Sequence, residues 1–369
     1  MQAFREEVLD KERAMIVTKV YKEMKISQKC LCFMIECKQE DIMKLGILGT
    51  GKIVEEMLPM LVEQDVEKVY LFSTKRSEEK ASMLVERYHL DGHFVDFKEL
   101  LESDVDTIYI ALPNSLHYAY AKEALLANKH VICEKPMTST IEEARELACL
   151  AREKKRILTE AVTLYAMPAV MSLKEHLNEI GQIKIVSLNY SQYSSRYDRF
   201  KEGIITPAFD PSKSGGALYD INVYNVHFAI NLFGKPKDVD YYANIERNID
   251  TSGILLMDYG QFKLSAIGAK DTAAPLVNTI EGDKGYITIH SPVSRMTQYT
   301  LHLHSGEEYL YDFDEKKHAM SYEFKRMITM IKEKNDQLAE EMMENSLAAS
   351  EVLTTARRKA GIVFDADKD

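Results

Sequence analysis

The chain has 369 residues, 46% of them hydrophobic and 28% charged, with a formal net charge of −11. That length supports two domains with sizeable cores. The acidic balance and the absence of a Lys/Arg-rich run argue against nucleic-acid binding, and no apolar run approaches the ~20 residues a membrane span needs. Residues 1–42 read as an N-terminal extension outside the fold, and Met43 stands where the folded part begins, as an alternative natural start. Arg5, Glu6, Glu7, Asp10 and Lys11 interrupt any secretory pattern. Phe4, Val8, Leu9, Ile16, Val20 and Tyr21 give residues 4–24 the spacing of an amphipathic helix. Cys30, Cys32 and Cys37 have no nearby histidine and read as free thiols, so no metal site is expected. Five cysteines in this length suit a reduced, cytoplasmic compartment.

From Lys44 the chain alternates strand and helix. Leu45, Ile47 and Leu48 form a short apolar run, as in a strand buried on both faces. Gly49-Thr50-Gly51 follows, and Lys52 to Gln64 reads as a helix. Gly49 allows a tight turn and Gly51 lets the backbone approach a pyrophosphate. Thr50, Lys52 and Ile53 then present the helix start and its positive dipole end to that anion. Val54 stands where the fingerprint has a third small residue, and an ordinary strand-to-helix turn can carry the same letters. Further strands are expected over 68–73, 93–95, 106–111, 129–133 and 156–158, with helices over 77–88, 115–127 and 141–155. This rhythm predicts a doubly wound parallel sheet whose strand-to-helix loops gather at the carboxyl edge.

After Pro168 the pattern changes. A helix over 170–177 precedes strand-like runs over 183–190, 237–243, 252–257, 261–267, 278–281, 286–289, 298–303 and 309–313. Short turns such as Asp258-Tyr-Gly260 and Gly282-Asp-Lys-Gly285 join several of them, which predicts a mainly antiparallel sheet. Helices are expected over 218–232, 320–334 and 335–360.

Four further stretches carry chemistry: Tyr109-Ile-Ala-Leu-Pro-Asn-Ser-Leu-His117, Glu134-Lys-Pro136, Thr159-Glu-Ala161 and Gly215-Gly-Ala-Leu-Tyr-Asp-Ile-Asn-Val-Tyr224. With the glycine turn, their order and spacing resemble the glucose-fructose oxidoreductase / inositol dehydrogenase / MocA family of NAD(P)-dependent dehydrogenases. Glu160-Ala161 and Tyr224 look most like its dihydrodiol/xylose dehydrogenase branch. The resemblance implies an α/β chain: an N-terminal Rossmann domain over 43–165 and a C-terminal α+β substrate and oligomerisation domain over 166–369, with a large open sheet. It also implies a homodimer or homotetramer, a cis bond before Pro136, Glu134 on the nicotinamide ribose, and Lys135 as the active-site ammonium. Leu112, Pro113, Asn114 and His117 would lie along the adenosine and pyrophosphate side.

Asp220 and Tyr224 stand four residues apart and share one helix face. Many relatives carry Asp and then His at these positions. A phenol needs a neighbouring cation to act as a base near neutral pH, and Lys135 is the candidate. Tyr224 is therefore expected to accept a proton from an alcohol or to donate one to a carbonyl. Asp220 would bind a substrate hydroxyl or orient the lysine. The second strand ends in Ser73-Thr-Lys-Arg-Ser77 with no acid to hold a ribose 2′-hydroxyl. Lys75 and Arg76 suit a 2′-phosphate, which points to NADP, with NAD as the alternative cofactor. Tyr165, Tyr193, Arg196 and Tyr197 are candidate pocket residues for a sugar, polyol or dihydrodiol-like substrate. The expected activity is hydride transfer at a CH–OH group. A non-catalytic dinucleotide sensor on the same fold is the alternative, and it would have no use for Lys135, Asp220 and Tyr224 together.

Overall fold

The computed structural model describes residues 43–313 and 318–368. The expected helix over 4–24 and the Cys30, Cys32 and Cys37 cluster lie outside the described residues. The first sheet is built from β1 (Met43–Leu48), β2 (Val66–Phe72), β3 (Gly92–Phe94), β4 (Thr107–Ile110), β5 (His130–Glu134) and β6 (Leu158–Ala161). All its pairings are parallel, in the order β3-β2-β1-β4-β5-β6. Every residue of β4 and all but one of β1 are buried, because helices cover both faces. These helices are α1 (Lys52–Leu61), α2 (Glu78–Tyr88), α3 (Phe97–Glu102), α4 (Asn114–Leu126) and α5 (Ile141–Lys154). Strand order reverses between β1 and β4. The crevice beyond their carboxyl ends is where such sheets take a ligand.

Two details differ from expectation. Helix α3 is an addition, started by Asp96, whose Oδ1 accepts from Lys98 N at 2.8 Å. Strand β6 begins two residues later than Arg156, so Glu160 and Ala161 lie within the strand. A carboxylate is tolerated there because Glu160 Oε1 accepts from Met137 N at 2.8 Å and lies 3.4 Å from His227 Nε2.

The second sheet holds β7 (Ile183–Ser191), β8 (Asp238–Glu246), β9 (Ile249–Asp258), β10 (Lys263–Ala269), β11 (Asn278–Gly282), β12 (Gly285–Ile289), β13 (Gln298–Leu303) and β14 (Glu308–Asp312). Its order is β14-β13-β12-β11-β7-β10-β9-β8, and only the β7–β10 pair is parallel. Helices α6 (Pro168–His176) and α7 (Ser195–Lys201) flank it, and α8 (Val223–Phe233) packs into its core. On the opposite face Ile185, Tyr242, Ile254 and Leu256 alternate with buried residues and stay exposed.

The last two helices return to the first sheet. Met320, Phe324, Met327 and Ile331 of α9 (Ala319–Lys332) pack with Met57, Leu58 and Tyr109. Helix α10 (Asp336–Lys359) places Met342 and Met343 in the first sheet's two cores and Val352, Leu353 and Ala356 in the second sheet's core. The chain's end thus closes over the crevice made at its beginning.

Candidate active site

The glycine turn forms as its residues dictate. Gly49 has φ +114°, and a Cβ there would sit 2.6 Å from the Ala111 carbonyl oxygen, so only glycine lets β1 and β4 lie this close at the turn. Gly51 has an ordinary φ of −73°, and a Cβ would meet nothing within 4 Å. Its backbone therefore faces open space at the start of α1, with Thr50, Lys52 and Ile53 around it. Lys75 and Arg76 lie exposed on a single turn after β2. The Ser73 hydroxyl beside them is buried and has no hydrogen-bond partner among the described residues. Open backbone at a helix start, a hydroxyl without a partner among the described residues and two exposed bases at the end of β2 fit a 2′-phosphorylated dinucleotide.

On the other side of the switch point, Leu112, Pro113 and Asn114 begin α4. Asn114 Nδ2 donates to Ser214 O at 2.9 Å and so ties this loop to the second sheet's half. His117 is fully buried behind the loop, contrary to its expected place on the cofactor face. Its Nδ1 lies 2.9 Å from Pro136 O and its Nε2 2.8 Å from Leu112 O. It joins two site loops from the rear, and burial lowers its tendency to charge.

The reaction end is assembled across the two sheets. Lys135 follows β5, and the Lys135–Pro136 bond is cis. Ser139 Oγ lies 2.6 Å from Ser214 Oγ, and Tyr219 OH donates to Ser139 O at 3.0 Å. These bonds bring the Lys135 loop against the Gly215–Tyr224 segment. Gly216 has φ +99°, and a Cβ would collide with the Asp250 carboxylate. That clearance lets Asp250 accept from Leu218 N at 2.6 Å and from Tyr241 OH at 2.7 Å, which anchors the start of the following helical segment. The segment opens as a π-helical turn over Leu218–Asn222 before α8. A wider turn of this kind is a common feature of functional sites. Asp220 lies in the π turn and Tyr224 in the first turn of α8.

The expected trio does converge. Lys135 Nζ donates to the Asp220 carbonyl at 2.8 Å, lies 3.7 Å from Asp220 Oδ1, and stands 4.7 Å from the centre of the Tyr224 ring. Asp220 Oδ2 accepts from a second ammonium, Lys270, which also donates to Ala208 O at 3.0 Å. Burial alone would raise the Asp220 carboxyl, but Lys270 and Lys135 outweigh it and hold it at about 2. Burial works against the Lys135 charge as well. Tyr224, Asp220 and Glu134 overcome that and keep the ammonium above its ordinary range. Glu134 accepts from Tyr109 OH at 2.7 Å, and burial raises its carboxyl.

The expected cation is present, but burial outweighs it, and Tyr224 is pushed up to about 12. It is held protonated at neutral pH, which favours the donor role of the two expected for it.

A cavity of about 580 Å³ contains this end. Ile53, Glu134, Lys135, Tyr190, Tyr224 and Glu323 are among its walls, with Arg295 at the rim. The other expected pocket residues lie outside its lining. Tyr165 is buried with its hydroxyl 3.0 Å from His227 Nδ1. Tyr193 donates to Asp198 and Tyr197 to Glu246, each at 2.7 Å. Arg196 acts from a distance as a further charge favouring the Asp220 carboxylate. Lys270, Tyr190 and Glu323 were not anticipated. A buried lysine at a strand end has no sequence signature. Glu323 has one, because it interrupts the apolar stripe of Met320, Phe324, Met327 and Ile331. Among the described residues no group of His, Cys, Asp and Glu is arranged to hold a metal ion.

Residues 43–162 match the description of an oxidoreductase family with an NAD-binding Rossmann fold, and residues 173–295 match the GFO/IDH/MocA C-terminal domain. The chain is 33% identical over 331 residues to scyllo-inositol 2-dehydrogenase (NADP(+)) of Bacillus subtilis, covering 89% of this chain and 100% of that one. It is 24% identical over 351 residues to trans-1,2-dihydrobenzene-1,2-diol dehydrogenase of Sus scrofa, covering 88% and 99%. Among solved structures, a 3-ketoreductase from Actinomadura kijaniata in complex with NADP and TDP-benzene superposes with a TM-score of 0.73 at 22% identity, covering 86% of this chain and 98% of that one. That likeness bears on the fold.

Proposed function

The chain belongs to the GFO/IDH/MocA oxidoreductase family, and from that premise we propose how its own residues divide the work. The protein is an NADP-dependent oxidoreductase acting on CH–OH groups. Gly49, Thr50, Gly51, Lys52 and Ile53 cradle the pyrophosphate. Lys75 and Arg76 pair with the 2′-phosphate, Ser73 bonds the adenosine ribose, and Leu112, Pro113 and Asn114 flank the opposite side. Glu134 accepts from the nicotinamide ribose. When bound, the nicotinamide supplies the carbon that gives or takes hydride.

Lys135 and Tyr224 converge on the substrate oxygen. The ammonium stabilises negative charge developing there, and the phenol donates a proton to it in reduction. In oxidation the phenol must first lose its own proton to solvent, and the phenolate then receives the alcohol proton. Asp220 is an ionised anchor that holds Lys135 through its carbonyl and carboxylate, and Lys270 fixes Asp220 in turn. The observation that carries this reading is Lys135 Nζ, placed between the Asp220 carbonyl and the Tyr224 ring at the wall of a cavity that also reaches Ile53 at the start of α1.

The substrate class is a sugar, cyclic polyol or dihydrodiol, in keeping with the inositol and dihydrodiol enzymes this chain resembles. Residues 43–165 form the cofactor domain and 166–369 the substrate and oligomerisation domain. The exposed apolar face of the second sheet packs against a second copy in a homodimer or homotetramer, because Tyr242, Ile254 and Leu256 form a broad apolar patch in isolation. Cys133 and Cys149 are free thiols, in keeping with a cytoplasmic location.

Titration with NADPH and NADH, followed by turnover assays on inositols, aldoses and dihydrodiols, tests the reading. The expected result is tighter binding of NADPH, with oxidation of at least one cyclic polyol or sugar. Binding of NADPH without turnover of any of them would remove the assigned roles of Lys135 and Tyr224.

A further inference from the structure

Glu323 lies one turn into α9, and only 4% of it is exposed. Its Oε1 has no hydrogen-bond partner among the described residues. The neighbours on its helix, Met320 and Phe324, are core residues. A carboxyl group in such a place is costly unless something bonds to it. As pure packing, a leucine or methionine of similar size would serve the fold better.

The side chain faces the cavity that holds the reaction end. Ile53 of the glycine turn's helix, Lys135 and Tyr224 line it too. Glu323 thus lines the same cavity as the glycine turn's helix and Lys135. The half-buried carboxyl of the cavity, Glu134, is already bonded by Tyr109 OH at 2.7 Å. Glu56, the remaining acid in the lining, is exposed and paired with Lys52 at 3.3 Å. Glu323 is thus the buried acid of this cavity with capacity to spare.

We propose that Glu323 is a cofactor-positioning residue whose carboxyl group hydrogen-bonds the carboxamide of the bound nicotinamide, turning the ring face toward Lys135 and Tyr224. The proposal rests on the reading of Glu134 and Lys135 as the nicotinamide end. Its chemistry is complementary. Burial and the nearby Glu134 push the Glu323 carboxyl well up, which favours its neutral form. A neutral carboxyl offers one O–H donor and one carbonyl acceptor, and a primary carboxamide offers the matching pair. The group that is unpartnered without cofactor becomes fully bonded with it. The cost of burying it is then a cost of keeping the site ready, as in other sites that give up stability for function.

The test compares Glu323→Leu and Glu323→Gln with wild type by fluorescence or calorimetric titration. The probes are NADPH and 2′-phospho-ADP-ribose, which lacks the nicotinamide. Melting temperature is measured without ligand. Glu323→Leu is expected to weaken NADPH about tenfold, the scale of one or two buried hydrogen bonds. It should leave 2′-phospho-ADP-ribose within about twofold and raise the melting temperature. Glu323→Gln, which keeps a donor and an acceptor, should stay within about threefold of wild type for both probes. NADPH binding unchanged in Glu323→Leu would overturn the proposal. So would equal weakening of both probes with a lowered melting temperature, since that marks a structural role. Wild type that binds neither probe would instead overturn the cofactor site itself.

Discussion

The two ends of the cofactor crevice are built by opposite means. At the phosphate end the site is backbone and open space. Gly51 faces nothing within 4 Å, and Lys75 and Arg76 reach into solvent. At the reaction end the site is side-chain charge, already bonded. Lys135 and Lys270 both already contact Asp220. On the proposed reading the phosphate end can stay loose, because a dinucleotide brings two or more negative charges and organises the cations itself. The reaction end must stabilise charge that exists only during the reaction, so its groups have to be placed beforehand.

Separate construction predicts separate failure. The largest effect belongs to Lys135→Met, which should lower kcat/KM about 10²–10³-fold, the usual loss for one preplaced stabilising donor. NADPH affinity should stay within about threefold. A parallel loss of both in steady-state kinetics and titration would show that the two ends are one unit. Tyr224→Phe should cost about 10²-fold in the reductive direction. Its pH behaviour sharpens the point. The phenol is pushed up to about 12, so it loses its proton only as pH rises toward that value. Reduction by wild type should therefore show no alkaline decline from this group through neutral pH, whereas oxidation should climb as pH rises. A reductive rate that falls between pH 6 and 8 and is flat in Tyr224→Phe would contradict the assignment. Arg76→Ala belongs to the other end. It should weaken NADPH about tenfold, leave NADH unchanged and leave kcat with saturating cofactor unaltered.

The same contrast governs what could be read from sequence. Backbone-built features are legible because they demand particular residues. Gly49 at φ +114° can hardly be anything else, and the short apolar strands fixed the sheet to which it belongs. The convergence of Lys135, Asp220 and Tyr224 was also legible, through motif order and a spacing of four. What was hidden depends on balances between large opposing terms. Whether Lys135 or burial controls the Tyr224 phenol cannot be decided by spacing, and burial won. His117 looked like a site residue by its place in a motif, yet its ring is fully buried between two carbonyls. Lys270 lies 50 residues from its partner Asp220, at the end of β10, and only the fold brings them together. The return of α9 over the first sheet likewise has no local signal, although the acid in its apolar stripe marks Glu323 as out of place.

The smallest expected change is also the sharpest within one motif. Gly49→Ala and Gly51→Ala alter neighbouring glycines by one methyl group each. At Gly49 the backbone is in the region L side chains avoid, and the new Cβ would press on the Ala111 carbonyl from 2.6 Å. Its loss should be one of stability, about 1–3 kcal/mol. At Gly51 the φ of −73° suits any residue and the methyl enters open space, so thermal or denaturant unfolding should shift by less than about 0.5 kcal/mol. On the proposed reading the pyrophosphate approaches the helix start through that space, so NADPH should bind several-fold more weakly to Gly51→Ala. If instead Gly51→Ala binds NADPH like wild type, the phosphates pass farther from this backbone than the fingerprint requires, and the phosphate end must rely on Lys75 and Arg76 rather than on the turn.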